Sequence, residues 1–207
     1  MIDFHTHTFA SDGVLVPSEL IRRALAAGYR AIGITDHADE SNLEDLISRA
    51  VRAAEAWAGE TGITVVPGVE ITHVPPERIP LVAGKARELG ARLVLVHGET
   101  VTEPVAPGTN AAGARCADVD ILAHPGLISE EDAAAAARNG VFLEITSRKG
   151  HSAANGRVAR MAARNGADLV ISTDAHEPGD LISRESARVL LAAAGIEDDG
   201  IERVFAK

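Results

Sequence analysis

The sequence predicts a single α/β domain, residues 1–207, built as a distorted (β/α)7 barrel. Seven short apolar runs recur along the chain, and they are continuous rather than alternating, as strands buried on both faces of a parallel sheet are. Alanine-rich amphipathic stretches separate most of them, and glycines mark several returns from helix to strand. The predicted strands are Ile2–Phe4, Ala31–Thr35, Thr64–Val69, Arg92–Val96, Val119–Ala123, Val141–Ile145 and Leu169–Thr173.

Capping residues set the expected helix boundaries. Helix starts are indicated by proline in the first turn or by serine before an acidic run, and helix ends by glycine after the last turn. The predicted helices run from Pro17 to Gly28, Ser41 to Trp57, Arg78 to Leu89, Ser129 to Gly140, Ala153 to Asn165 and Ser183 to Ala194. The stretch from Glu99 to Gly113 is interpreted as a loop on the barrel, and Ser183 to Ala194 as the last helix.

Seven consecutive β-α units favour a closed or nearly closed TIM-like barrel, one unit short of the eight-fold form. A doubly wound open sheet is the alternative. No G-x-G-x-x-G follows the first strand, so nothing supports a dinucleotide site.

Composition limits the function classes. The formal net charge is −10, which argues against binding to long nucleic acids or to an anionic membrane, because these are held mainly by Lys and Arg. We expect no signal peptide, because no basic start and no long apolar stretch follow Met1, and the sequence contains no run of about 20 apolar residues. The single cysteine, Cys116, fits a reducing cytoplasm, where we expect the protein to act.

Metal-ligating residue types follow the predicted strands. Six of the eight histidines and three carboxylates stand at carboxyl ends of strands, which in a parallel barrel meet at one rim. They are His5, His7, Asp36, His37, Glu70, His97, His124, Asp174 and His176. A lone histidine after a strand is usually structural, but six strands that converge on one chemistry predict a metal site.

The number of ligands indicates more than one ion. Nine such residues exceed the four to six ligands that one ion takes, so two or three divalent ions are expected, with Zn, Mn or Fe preferred. His5 and His7 lie on the same side of one strand and can share an ion. Glu70 can bridge two ions.

As a set, these motifs resemble the PHP family, named for polymerase and histidinol phosphatase domains. The resemblance covers residues 2 to about 176 in the family's motif order. It rests on His5-Thr6-His7-Thr8, Ser11-Asp12-Gly13, Ile34-Thr35-Asp36-His37, Gly68-Val69-Glu70, His97, Ala123-His124-Pro125 and Ser172-Thr173-Asp174-Ala175-His176.

The resemblance implies a ligand set for each of three metals. His5, His7, Glu70 and Asp174 would hold the first, and Glu70, His97 and His124 the second. His37 and His176 would hold a third with Asp12, which stands where some family members have a histidine. Asp12 as a turn residue before Gly13 is the alternative. Glu70, Asp174 and His176 are the candidate catalytic residues.

Residues after the sixth strand are candidates for contacts with the substrate. Arg148 and Lys149 would pair with a phosphate held by the metals, or would be solvated loop cations. Glu144 could orient a metal-bound histidine. His73 and His151 are expected at the surface, with a contact to the substrate or proton donation to the leaving group as the alternative.

The implied function is hydrolysis of a small phosphate monoester, similar to histidinol-phosphate phosphatase, in which a hydroxide bridging the metals attacks phosphorus. The first alternative is a phosphodiesterase or nuclease that acts on nucleotides or nucleic-acid ends. A non-catalytic RNA-binding subunit, like the ribonuclease P proteins that share this barrel, and a carbon–nitrogen amidohydrolase rank lower. The binuclear amidohydrolases typically need a lysine at the end of the fourth strand, where this chain has His97.

Overall fold

The computed structural model describes residues 1–59 and 62–206, which form one parallel sheet nearly closed into a barrel with helices outside. Strand order follows the chain, β1-β2-β4-β5-β6-β7-β8, and every pairing is parallel. The predicted fold class is confirmed. The strands are β1 (Ile2–Asp3), β2 (Ala31–Ile34), β3 (His37–Ala38), β4 (Thr64–Ile71), β5 (Leu93–His97), β6 (Ile121–Ala123), β7 (Phe142–Thr146) and β8 (Leu169–Ser172).

The second β-α unit differs from the prediction because its strand is interrupted. β2 ends at Ile34, and the chain resumes pairing as β3, with His37 opposite Glu70 on β4. Between them, the Asp36 carboxylate accepts hydrogen bonds from the backbone N–H of Thr8 (2.7 Å) and the hydroxyl of Ser11 (2.7 Å). The interruption therefore places His37 beside Glu70 and leaves Asp36 to hold the loop that follows β1.

Within the described residues, six helices lie where the sequence predicts them and two do not. The helices are α1 (Pro17–Ala26), α2 (Leu43–Trp57), α3 (Ile79–Glu88), α4 (Thr109–Arg115), α5 (Glu130–Asn139), α6 (Asn155–Asn165), α7 (Arg184–Ala193) and α8 (Asp198–Ala206). α4 occupies part of the stretch predicted to be irregular, and α8 follows the helix predicted to be last. Both contain a glycine, Gly113 or Gly200, which weakens the local helix signal.

The barrel interior changes from apolar to polar along the strands, toward their carboxyl ends. On β5, Leu93, Leu95 and His97 share one face because side chains alternate, and the two leucines pack with Ile121 of β6 inside the barrel. The opposite face packs on the helices and forms the largest apolar cluster. An apolar floor thus lies below the carboxyl ends of the strands, where the buried polar residues collect. No described helix is long and apolar enough to cross a membrane.

The seam between β1 and β8 is closed mainly by a side chain. Thr6 and Ala175 form an isolated bridge, but in residues 1–59 and 62–206 no ladder joins the two strands. The buried Asp3 carboxylate instead accepts hydrogen bonds from the backbone N–H and hydroxyl of Thr173 and from the N–H of His5 (3.2 Å). Burial raises the pKa of Asp3 to about 6 despite these donors.

We expect Asp3→Ala to lower the free energy of unfolding by about 2–4 kcal/mol, because it leaves buried donors of Thr173 and His5 without an acceptor. Urea unfolding followed by circular dichroism measures the change. The control, Asp45→Ala, removes an exposed carboxylate paired with Arg49 on α2 and is expected to cost less than about 1 kcal/mol. Equal effects of the two variants would rule out closure of the seam by Asp3.

Candidate metal centre

The carboxyl ends of the strands, here called the rim, bring the predicted metal ligands together in three clusters. In each cluster the potential ligand atoms lie within 4.8 Å of one another. The first cluster contains His5, His7 and Asp174, the second Glu70, His97 and His124, and the third His7, Asp12, His37 and His176. These three groups contain all nine residues that the resemblance assigns as ligands. Asp36, the other carboxylate predicted at a strand end, lies outside them and binds the loop after β1 instead.

The first cluster lies where β1 and β8 end. His7 Nε2 is 3.1 Å from Asp174 Oδ1, and His5 Nε2 is 3.6 Å from the same oxygen. Glu70 joins this cluster from β4, since its Oε1 lies 3.3 Å from His5 Nε2 and its Oε2 lies 3.7 Å from His7 Nε2. All four side chains are buried.

The second cluster shares Glu70 with the first. His124 Nε2 lies 3.4 Å from Glu70 Oε1, the same oxygen that approaches His5. The His97 and His124 rings meet edge to face with their centroids 4.5 Å apart. Glu70 therefore stands between the two clusters, as a bridging carboxylate would.

The third cluster is the most exposed. Asp12 Oδ2 lies 3.1 Å from His176 Nε2, and Asp12 Oδ1 lies 3.6 Å from His37 Nε2. The Asp12 side chain is 54% exposed, whereas His7, which also reaches this cluster, is fully buried. The structure thus places Asp12 against the two histidines that the resemblance assigns to a third metal.

The donor set fits metal ions. Several buried nitrogens and oxygens of the first two clusters have no hydrogen-bond partner, a state that normally costs stability. Ligand atoms about 3.4 Å apart are also what a tetrahedral ion with bonds of about 2.1 Å requires. The orphaned atoms are His5 Nε2, His7 Nδ1 and Nε2, both carboxylate oxygens of Glu70, His97 Nδ1, His124 Nδ1 and Asp174 Oδ1.

The electrostatics of the clusters suit metal binding. Burial alone would raise the pKa of Glu70, but the surrounding imidazoles, His5 first, hold it well below its usual range. Neighbouring imidazoles, His5 first, likewise hold the pKa of Asp174 below its usual range despite its burial. Burial lowers the pKa of His97 to about 4, so this imidazole is neutral at pH 7, the form that ligates metals. The centre therefore offers ionised carboxylates together with a neutral nitrogen donor.

Glu144 on β7 supports the first two clusters from below. Its Oε1 accepts a hydrogen bond from His5 Nδ1 (2.8 Å), which leaves His5 Nε2 facing Glu70 and Asp174. Its Oε2 accepts one from the backbone N–H of His124 (2.8 Å). A carboxylate on the far nitrogen of a ligating histidine fixes the ring and its tautomer. The orienting role considered for Glu144 agrees with this geometry.

Backbone strain concentrates at the centre. Among the described residues other than glycine, His73 (φ 54°), His124 (φ 27°) and Asp174 (φ 53°) have a positive φ, and all three follow a strand at the rim. Such conformations cost about 1–3 kcal/mol each and persist where the surrounding structure enforces them. These backbone conformations therefore lower the stability of the fold, and they set the directions of the three side chains at the rim.

The two rim cations differ in their surroundings. Arg148 is held by Asp180 at 3.1 Å, and the same carboxylate accepts the backbone N–H of His176 at 2.8 Å, so Arg148 lies next to the third cluster. Lys149 is exposed, and no described residue forms a hydrogen bond or ion pair with its side chain.

The surface position expected for His151 is wrong. Its ring is buried and stacks on His124 with the centroids 4.4 Å apart, while its Nδ1 hydrogen-bonds with Thr100 and Thr102. A short 3-10 turn, His151–Ala154, carries it inward. His73, by contrast, is 46% exposed, as expected.

Sequence reasoning missed two carboxylates at the rim. Glu103 approaches three histidines, and Asp180 anchors Arg148 and the backbone of His176. Neither residue ends a strand, so the signal that identified the ligands does not apply to them. The Pro178-Gly179-Asp180 turn was the available clue to Asp180.

We expect Glu144→Gln to weaken metal binding about 10- to 100-fold, because the ring of His5 loses its charged acceptor. Metal content after dialysis against buffered free Zn²⁺ or Mn²⁺ measures the change. Glu88→Gln, at the exposed end of α3, is the control and should bind metal like the unchanged protein. Unaltered affinity in Glu144→Gln would contradict the positioning role.

Comparisons with known proteins agree with this geometry. A family model described as PHP domain matches residues 3–138. A protein of Methanocaldococcus jannaschii without an assigned function is 50% identical over 98% of this chain and 94% of its own length. A protein of Thermoanaerobacter sp. (strain X514) named a probable phosphatase is 26% identical over 96% of this chain and 88% of its own. A 5'-3' exoribonuclease of Haemophilus influenzae is 40% identical, but over 34% of this chain and 23% of its own.

Solved structures share the fold. An archaeal ribonuclease P structure with mature tRNA contains a chain that matches with a TM-score of 0.71 at 19% identity, over 100% of this chain and 87% of that one. Histidinol phosphate phosphatase from Lactococcus lactis, complexed with zinc, L-histidinol and phosphate, matches with a TM-score of 0.66 at 16% identity, over 95% of this chain and 94% of that one. On the family match and the M. jannaschii relative, the chain belongs to the PHP domain family.

Proposed function

We propose that this protein is a metal-dependent phosphatase that hydrolyses small phosphate monoesters. The observation that carries the proposal is the sharing of Glu70 between two clusters of buried, unpartnered ligand atoms. Two ions held close together by one carboxylate are a recurring device of phosphatases. The phosphatase name of the Thermoanaerobacter relative supports the same reaction.

Each cluster would hold one divalent ion, Zn, Mn or Fe. His5, His7, Glu70 and Asp174 would bind the first, Glu70, His97 and His124 the second, and Asp12, His37 and His176 the third. When bound, such ions supply a nucleophilic water at neutral pH and neutralise charge on phosphoryl oxygens. The imidazoles suit Zn, Mn and Fe better than Mg or Ca.

The residues of the chain divide the remaining tasks. His176 Nδ1 donates a hydrogen bond to the backbone carbonyl of Asp174 (2.9 Å), which leaves its Nε2 facing Asp12. The carboxylates of Glu70 and Asp174 would hold the ions and repel a phosphate, so a substrate phosphate would approach the ions from the solvent side of the rim. Arg148 and Lys149 are the cations of the chain proposed to bind the phosphate from the solvent side.

Phosphate release from a panel of monoesters, including histidinol phosphate and nucleotides, tests the proposal. With added Mn²⁺ or Zn²⁺ we expect hydrolysis that a chelator abolishes. Glu70→Gln is expected to lower kcat by about a hundredfold or more, because two clusters lose their shared ligand. Glu131→Gln, exposed on α5, serves as the matched control. Full turnover by Glu70→Gln would exclude the proposed centre.

Arg148→Ala should raise KM for a monoester about tenfold, because the phosphate loses a charge-assisted donor. Arg148→Lys should restore part of the loss, since a lysine keeps the charge but not the planar fork. Steady-state kinetics measures both effects. The control is Arg49→Ala, which removes an exposed cation from α2. If KM stays unchanged in Arg148→Ala, this arginine does not bind the phosphate.

Hydrolysis of phosphodiesters in nucleotides or at nucleic-acid ends is the second candidate. The local similarity to the H. influenzae exoribonuclease favours it. The net charge of −10 disfavours a long polyanion as substrate. Release of mononucleotides from a short oligonucleotide, with a steep fall in rate as salt is added, would favour this candidate over the monoesterase.

A further inference from the structure

The second cluster offers fewer ligands than the first. Its ion would be held by one oxygen of Glu70, which the two clusters share, and by the imidazoles of His97 and His124. A divalent ion such as zinc takes about four ligands at least. One position on the second ion is therefore left over for water, for a substrate or for another side chain of the rim.

A carboxylate outside the three clusters lies beside His97. Glu103 Oε2 is 3.1 Å from His97 Nε2, the same separation as that between His7 Nε2 and Asp174 Oδ1 in the first cluster. Ligand atoms of one tetrahedral ion lie about 3.4 Å apart, so Glu103 and His97 are close enough to share one. No described lysine or arginine lies within ion-pair distance of Glu103. A cation on His97 would therefore neutralise this carboxylate.

His151 is the other candidate for the remaining position on the second ion. One of its ring nitrogens lies within 4.8 Å of ligand atoms of His124 and Asp174. However, its ring stacks on that of His124, with the centroids 4.4 Å apart and the planes 21° from parallel. Since the lone pair of an imidazole nitrogen lies in the ring plane, stacked rings direct their lone pairs side by side rather than toward one ion. His151 Nε2 instead faces Glu103 Oε1 at 3.5 Å.

The loop that carries Glu103 is held on both sides. On the α4 side, the Glu99 carboxylate accepts the backbone N–H of Asn110 (2.9 Å), and Asn110 Oδ1 accepts the N–H of Glu99 (2.9 Å). On the barrel side, the hydroxyl of Thr100 hydrogen-bonds with His151 Nδ1. These contacts set the position of the loop, so the Glu103 carboxylate is presented to the second cluster by the framework around it.

We propose that Glu103 is a ligand of the second ion and fills, before substrate binds, the coordination position that a substrate phosphate takes. A phosphoryl oxygen would enter by displacing the Glu103 carboxylate, which is 39% exposed and can turn toward solvent. The inference rests on the second ion of the proposed function, and it does not depend on which phosphoester is hydrolysed.

Zinc titration in competition with a chelating dye measures the strength of the proposed bond. We expect Glu103→Gln to weaken the binding of one zinc ion about a hundredfold, because an amide oxygen replaces a charged ligand, and to leave the tightest ion unchanged. Glu55→Gln, which removes one exposed charge from α2, is the matched control and should bind zinc like the unchanged protein. Equal zinc affinities of the two variants would overturn the proposal.

Diffraction from zinc-loaded crystals at the zinc absorption edge distinguishes a ligand from a carboxylate that only orients His97. A zinc ion of the second cluster about 2.0–2.2 Å from an oxygen of Glu103 supports the proposal. A separation beyond about 3 Å overturns it, and so does a zinc-loaded protein with no ion in this cluster.

Inorganic phosphate tests the exchange. In crystals soaked with phosphate we expect a phosphate oxygen at the position that the Glu103 carboxylate held on zinc. Phosphate bound to the second ion with Glu103 still coordinated would contradict the displacement.

Failure of this inference and failure of the phosphatase proposal give different results. If the zinc-loaded protein hydrolyses no phosphoester, the phosphatase function fails, and the distance from zinc to Glu103 still decides the inference. If the protein is an active phosphatase whose Glu103 lies away from zinc, the inference alone is rejected.

Discussion

The structure depends on burying two carboxylates among imidazoles at the carboxyl ends of the strands of a nearly closed barrel. Glu70 and Asp174 are buried, both oxygens of Glu70 and one of Asp174 have no hydrogen bond, and histidines approach them from several strands. Ionised groups out of contact with water are expensive unless opposite charge or metal compensates them. Metal cations that bind in the centre would therefore compensate the buried negative charge of the two carboxylates. This would offset the free-energy cost of burying them.

Rigid support makes that arrangement possible. Below the centre, the leucines of β5 pack with Ile121 and place apolar side chains between the carboxylates and the amino-terminal end of the barrel. The Glu144 carboxylate on β7 binds both the ring of His5, which follows β1, and the backbone N–H of His124, which follows β6. The left-handed conformations of His124 and Asp174 are then imposed by their neighbours rather than chosen by the local sequence.

The sequence predicted the barrel and the ligands for the same physical reason. A strand buried on both faces must be apolar until it ends, so a histidine or carboxylate just after such a run is visible without a structure. Glu103 and His151 gave no such signal, because loops and a 3-10 turn bring them to the rim from positions with no periodic pattern. The helix α4 was hidden by its length of seven residues and by Gly113, whose lack of a side chain lets it pack closely on Leu122 and Val96.

The metal centre can form only after both sides of the seam at Asp3 have been synthesised and have come together. The ligands on one side of the seam come from the first seven residues and those on the other side from residues 174 and 176, so the first cluster unites positions about 170 apart in sequence. Contacts of such high separation slow folding, because the entropy of closing a long loop is lost before they form. A ribosome-bound fragment that lacks Asp174 cannot complete the first cluster, which makes metal uptake a reporter that the two ends of the chain have met. An ion bound there would join the two sides of a seam that no strand ladder closes in the described residues, so the loaded protein is expected to be more stable than the metal-free one.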